Sequence, residues 1–395
     1  MSIENIIYFI LQLIMLISLY KGGNTIRKSK TPYWKGLLFS IIIFTLNEGL
    51  RFGRGIDYNL YVENYNKINS SNESSYEPLF TFLVRAFGYL NLPWQAFVLF
   101  MSFLVIYSGC KFLKPYKEQL YLILPLYALN VIIAENLMRW FLGFSFILIG
   151  MSFLISDKNN LTKQYPKYRK FLFYATLGCL CHYGLIPIVV VIALISTLKK
   201  ILLPPYISIL IYFITLIVAN NETLLGLAGI INLLPLGEKM STYQENIEFW
   251  LTGGFGSSDE LPTTHLSATI FLTYLTYMGY KLGKGINSYK YIFVYNLFLI
   301  GYITYPISQP IEIAFRYNTL FIIFQCIIFG YIIHYYLLRN KRINKLLLII
   351  GWIIILNYIR IYIIEIPLGS NPNHVLYIWD ANGRESLPLD TYQTK

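Results

Sequence analysis

Residues 36–54 read "GLLFSIIIFTLNEGLRFGR", an almost uncharged apolar run that ends on Arg51 and Arg54. The run is apolar enough to enter a bilayer, whereas the guanidinium groups behind it are too costly to leave in hydrocarbon. The stretch therefore reads as a helix ending at a water boundary with a charged cluster at its mouth. Similar apolar runs recur along all 395 residues: 56% are hydrophobic, 13% are charged and the mean hydropathy is +0.52, which excludes an ordinary soluble domain. An outer-membrane barrel would show alternating segments of roughly ten residues instead. The predicted fold is an all-α polytopic membrane protein of about 12 transmembrane helices, within a range of about 10–14. It is expected to form a single transmembrane domain over 1–395.

The first run, Ile3 to Tyr20, has no charged leader and no small-residue cleavage site, so it is expected to be a retained span. Cys110, Cys179, Cys181 and Cys326 lie in or beside apolar runs, where a thiol packs as a small apolar group. Cys179, Cys181 and His182 form a C-x-C-H string that lacks the paired ligand spacing of a structural zinc site, so no metal is expected. The net charge of +12 does not point to nucleic acid, because the basic residues fall in short clusters between apolar runs.

Candidate spans cover residues 3–20, 36–50, 95–112, 119–134, 139–156, 171–181, 185–198, 203–219, 265–281, 289–305, 316–337 and 346–364. Lys21, Arg27, Lys28, Lys30 and Lys35 crowd the first connection. Lys111, Lys114 and Lys117 mark a second, and Lys158, Lys163, Lys167, Arg169 and Lys170 a third. Lys199 and Lys200, Lys281 to Lys290, and Arg339 to Lys345 complete the series. The positive-inside rule puts all of these in the cytoplasm. Alternation then requires that residues 78–93 form an interfacial helix that does not cross, and that residues 171–198 cross twice, turning at His182 and Tyr183. The outer face receives the loop 51–93, Glu135, Arg139, His182, the long segment 220–264, His265 and Arg316. No P-loop, G-x-S-x-G, H-E-x-x-H or Asp-x-Asp motif is present, so nucleotide-driven chemistry is not expected.

An arginine at a span end needs a partner. One alone snorkels or pairs with a local acid such as Glu135 or Glu312. Several at one face, against the positive-inside bias, fit a shared anionic ligand better, since a guanidinium fork matches phosphate oxygens. Arg51, Arg54, Arg139 and Arg316 are therefore the pyrophosphate candidates, with Arg54, beside two glycines, open to a solvated loop reading. Asp57 is open between helix cap and general base or sugar-hydroxyl acceptor, and Glu77, followed by Pro78, reads first as a cap. His182, between two apolar stretches, is either a satisfied core histidine or a proton acceptor. Tyr58, Tyr61, Tyr65 and Tyr76 read as an interfacial aromatic belt whose faces also suit sugars. Glu135 joins Tyr58 and Tyr61 as a sugar-binding candidate.

"RFGRGIDYNLY" followed by "YEPLF", Arg139 opening a span, a histidine between two apolar stretches and a late "FRYNTL" together resemble the EpsG and Wzy group of bacterial polysaccharide polymerases. The resemblance spans nearly the whole chain. It implies a multi-pass enzyme of the bacterial inner membrane, with a GT-C-like architecture related to the O-antigen ligases, and makes 51–93 and 220–264 periplasmic loops. It further implies transfer of a growing glycan from undecaprenyl pyrophosphate onto a lipid-linked repeat unit, without cofactor, metal or nucleic acid. Membrane lipids and a chain-length regulator are the further partners expected. The family's arginines fall on Arg51, Arg139 and Arg316, its acidic residues on Asp57 and Glu77, and its histidine on His182. His182 is the first choice of base, Asp57 or Glu77 the second, and displacement from the opposite face inverts the anomeric centre. A lipid-linked oligosaccharide flippase and an O-antigen ligase are the rival readings.

Overall fold

The described residues are helical, with no strand among them and one isolated antiparallel bridge between Arg51 and Tyr377. The computed structural model describes residues 3–28, 31–55, 57–71, 76–155, 164–219, 263–286, 288–309, 312–338, 349–353, 356 and 376–380. Helices follow from the sequence, because a chain this apolar must satisfy its backbone within each segment. Among the described residues five helices are long and apolar enough to cross a bilayer: Ile3–Arg27, Trp94–Tyr116, Met138–Ile155, Tyr289–Ser308 and Ile313–Tyr336. Leu120–Glu135, Tyr183–Thr197 and Pro205–Val218 are shorter apolar helices. The expected segment 220–264 lies outside the described residues up to 262, and the expected span 346–364 does so for most of its length.

The chain divides into two compact units, one of residues 1–191 and 333–395, the other of residues 192–332. In the first unit α1 (Ile3–Arg27) packs antiparallel to α2 (Tyr33–Gly49), which runs antiparallel to α5 (Trp94–Leu113). The hydroxyl of Tyr33 donates to the Cys110 carbonyl at one end of that pair, and Gln95 donates to the carbonyls of Gly49 and Arg51 at the other. The return helix α6 (Leu120–Asn130) crosses α1 closely at Gly23, where a Cβ would lie 2.6 Å from the backbone of Tyr121. Next come α7 (Met138–Ile155) and α8 (Gln164–Cys181), antiparallel and in contact along their length.

These directions sort the charges. Arg27 lies 4.4 Å from the Tyr121 ring, Lys114 lies 5.7 Å from that of Tyr33, and Lys111 and Lys170 converge on Phe153, all at one end of the unit. Arg51, Glu77, Arg139 and His182 lie at the other end. Helix α3 (Tyr58–Ser71) and helix α4 (Pro78–Tyr89) pack on α5, α7 and α8 through Tyr58, Tyr61, Tyr65, Phe80 and Val84. At 12 residues, α4 is about 18 Å long, well short of the roughly 30 Å hydrocarbon thickness. The chain breaks where a turn was expected: α8 stops at Cys181, His182 is extended (φ −161°, ψ 110°), and α9 (Ile186–Thr197) follows a short 3-10 turn.

In the second unit α10 (Pro205–Val218), α11 (Thr263–Ile286) and α12 (Tyr289–Ser308) pack together, with α13 (Glu312–Ile322) and α14 (Gln325–Ile332) returning along α12 and α11. Tyr212 stacks on Tyr302 at 4.6 Å, and Asn318 donates to the Gly301 carbonyl at 2.6 Å. Asn296 grips the Lys200 turn, accepting from the Leu202 N–H at 2.9 Å and donating to the Lys200 carbonyl at 2.9 Å. The basic residues Lys200, Lys284 and Lys290 thus share one end of this unit, and Arg316, on α13, sits toward the other.

Candidate functional site

Two glycines set the site. Helices α7 and α8 meet at Gly143 and Gly178, where a Cβ on either would lie 2.6 Å from the other's carbonyl oxygen. One helical turn further along each helix toward the same end stand Arg139 and His182. Only a contact without side chains brings two helices this near, so the crossing decides that these residues become neighbours.

Glu77 joins them. It occupies the residue before α4, with Pro78 at the first helical position, yet its side chain makes no capping hydrogen bond. The cap reading is corrected accordingly: the carboxylate is bridged instead between the other two groups. The Nδ1 of His182 lies 2.7 Å from Glu77 Oε1, and Arg139 Nη1 donates to Glu77 Oε2 at 2.8 Å. The side chains are 11% (Glu77), 16% (His182) and 23% (Arg139) exposed, which leaves the group accessible from one side. The Trp140 ring meets the imidazole edge-on at 4.5 Å, and Tyr76 lies under the Arg139 guanidinium at 4.3 Å. Burial pushes the Glu77 carboxyl up, but the His182 hydrogen bond and the Arg139 charge outweigh it and hold the group at about 2. An ionised carboxylate only accepts, so Nδ1 carries the imidazole proton and the lone pair stands on Nε2. The arrangement is an oriented base beside a fixed cation.

A second cluster is closed. Arg54 is fully buried: its Nη1 faces Glu135 Oε1 at 3.3 Å, its Nε donates to the Leu376 carbonyl at 2.9 Å, and the rings of Tyr377 and Tyr8 flank it at 4.2 and 4.8 Å. Burial opposes its charge, and the Glu135 carboxylate outweighs that, so the proton is held more firmly than usual. Arg51 is also buried and donates through Nη1 to the Glu48 carbonyl at 2.6 Å and to Ser102 at 3.3 Å. Glu48 accepts from Gln12 and Asn47. Between Glu48, Arg51, Ser102 and Glu135 lies a cavity of about 20 Å³, room for about one water.

A family model matches residues 33–371 of this all-helical chain. The chain belongs to the EpsG family. No curated protein and no solved structure matches it. Membership makes it a polysaccharide-polymerase-type membrane protein of a glycosyltransferase-like family, in keeping with its apolar helices.

In this EpsG-family chain the residues singled out from the sequence separate into three places. Glu77, Arg139 and His182 are brought together. Arg51, Arg54 and Glu135 are brought into the closed cluster, so the solvated reading of Arg54 is corrected: ring stacking and the Glu135 pairing remove it from water. Tyr58 and Tyr61, expected at a belt or a sugar face, are 4% and 8% exposed and pack on Trp94, which corrects the belt reading. Their spacing with Tyr65 and Ile68 is that of one helix face, a signal present in the sequence. Asp57 stands before α3, where its carbonyl accepts from the Tyr61 N–H at 3.0 Å. Arg316 belongs to the second unit, and the His265 side chain lies outside the described residues. Sequence reasoning missed Glu48, Trp140 and Tyr377. Among the described residues no group of three His, Cys, Asp or Glu side chains is placed to hold a metal ion.

The depressed Glu77 value carries a testable sign. A carboxyl held at about 2 against an ordinary 4.5 stabilises the fold fully above pH 4.5 and loses that contribution as pH falls through 2. Thermal unfolding should therefore show wild type ahead of Glu77→Gln at neutral pH, with the difference shrinking between those two values. A gap of constant size down to pH 2 would mean that the ionised carboxylate is not what stabilises this corner.

Proposed function

We propose that the chain is a polysaccharide polymerase of the bacterial inner membrane, transferring a growing glycan from undecaprenyl pyrophosphate onto a lipid-linked repeat unit at the periplasmic face with inversion. The observation that supports this most is the Glu77 carboxylate bridging His182 and Arg139. His182 Nε2 takes the proton from the acceptor sugar hydroxyl as its oxygen bonds to the anomeric carbon of the donor. The bond from that carbon to the pyrophosphate oxygen breaks, and the leaving group departs with the electron pair. Negative charge builds on the diphosphate, where Arg139 is the cation proposed to stabilise it. Glu77 does not touch substrate in this scheme: it fixes the imidazole tautomer and the Arg139 fork. Arg51 and Arg54 are assigned no contact with the substrate, because their guanidinium groups are buried against protein acceptors. The periplasmic assignment is supported by the basic connections lying at the end of the first unit away from Glu77, Arg139 and His182.

Deleting the gene and resolving the surface polysaccharide on a gel tests the reading. A product carrying a single repeat is the expected result. Loss of every decorated product would indicate a flippase or a ligase instead.

A further inference from the structure

The closed cluster and the open site are joined through a few residues. The segment 376–380 reaches the RFGR loop from far along the chain and pairs with it through backbone groups: the Phe52 N–H donates to the Leu376 carbonyl at 3.1 Å, and the Ile378 N–H to the Leu50 carbonyl at 3.0 Å. Tyr377 is 1% exposed, and its hydroxyl donates to Asn47 at 2.7 Å. Arg54 binds the same Leu376 carbonyl, and it reaches on to Glu135. Glu135 closes the 3-10 turn Ile132–Glu135, whose Ile133 carbonyl accepts from the Asn136 and Leu137 N–H groups. Helix α7 then begins at Met138, and Arg139 is its second residue.

Gly55 holds the same turn from another side. It has φ +96°, and a Cβ there would lie 2.6 Å from the Glu135 carbonyl oxygen and 2.7 Å from the Asn136 side chain. The N-terminus of α7 is thus clamped from both the backbone and the side chain by the loop that the C-terminal segment covers. Within the cluster, Arg54 Nη2 and Arg51 Nε are buried without a hydrogen-bond partner among the described residues. An arginine placed to bind ligand would keep such donors open to it, whereas these are buried, with the Arg54 guanidinium between the Tyr377 and Tyr8 rings.

We infer that Arg54 is a positioning residue for Arg139, locked by the segment Leu376–Trp379 and acting through Glu135 on the first turn of α7. The inference rests on the reading of Arg139 as a diphosphate ligand. Its reach is short, since Glu135 and Arg139 are four residues apart in the chain, and a close-packed interior transmits strain over that distance.

Binding of undecaprenyl pyrophosphate to the full chain in lipid nanodiscs tests it. Arg139→Ala is expected to weaken binding at least ten-fold, and Arg54→Ala at least five-fold at unchanged stoichiometry. The double variant is expected to bind no more weakly than Arg139→Ala alone, because both changes act through one side chain. A purely structural role for Arg54 would lower the number of binding sites and leave the affinity of the remainder unchanged, which overturns the inference. Full affinity in Arg54→Ala with loss in Arg139→Ala also overturns it while leaving the polymerase reading intact. Full affinity in both overturns the two together. Should Arg54→Ala not accumulate, Tyr377→Phe removes only the hydroxyl bond to Asn47, and amide exchange over residues 132–138 is then expected to quicken. Unchanged exchange there counts against the connection.

Discussion

Replacing His182 by glutamine is expected to lower polymer formation by about 10²–10⁴-fold while the chain stays folded. The site contains one imidazole whose nitrogens have different employment. Nδ1 is committed to Glu77 at 2.7 Å, which leaves Nε2 as the nitrogen proposed to take the proton. Glutamine fills much of the same space and can still donate to Glu77, but it cannot accept and carry away a proton. Folding is expected to survive, because His182 lies in an extended link between α8 and the following turn, where the backbone bonds of Gly178 and Leu185 do the holding. Glu77→Gln probes the same pair from the other side. Its amide can turn an N–H toward Nδ1, which forces the imidazole proton onto Nε2 and disables the base without removing it. Synthesis of long polymer from lipid-linked repeats, measured with membranes matched for protein amount, decides both cases. Normal chain length in His182→Gln would remove the base from the scheme.

The second large effect is expected at Arg139. Alanine there should abolish long-chain polymer, with a loss of about 10²–10³-fold in rate, at protein levels close to wild type. The guanidinium has one fork nitrogen on Glu77, and the side chain is 23% exposed, so part of it remains open to a ligand. Its plane is held over Tyr76, which fixes the direction in which those donors point. Loss of the side chain leaves Glu77 with its bond from His182 and partial access to water, so the carboxylate is not stranded. Gel analysis of polymer length beside immunodetection of the protein reads the outcome, and polymer of normal length in Arg139→Ala would remove the proposed leaving-group cation.

Much of this was legible in the residues, for identifiable reasons. Apolar runs and basic clusters report on free energies of transfer, which depend on composition and little on partners, so the helical class and the sorting of charge to one end of each unit could be read directly. The break at His182 was legible because an alternating topology demanded a turn near it. The bridge at Glu77 was not. The Glu-Pro pair favours a cap on local grounds, and only the Gly143–Gly178 crossing brings an imidazole and a guanidinium close enough to compete for the carboxylate. Arg51 and Arg54 were misleading for a related reason: a charged residue in a loop reads as exposed unless its distant cover is known. That cover, Tyr377, is separated from its partner Asn47 by 330 positions, and no local pattern announces it. The tyrosines of α3 differ, since their helical spacing was in plain view and composition alone suggested a belt.

The long separation between the RFGR loop and its cover also has a bearing on synthesis. Arg54 leaves the ribosome 322 residues ahead of Leu376, the carbonyl it will bind. During that interval Arg54 lacks both the Leu376 carbonyl and the Tyr377 ring that cover it in the folded chain. The order of translation therefore makes the last-arriving strip of chain the step that completes this corner, and nascent chains released early would leave it unsealed.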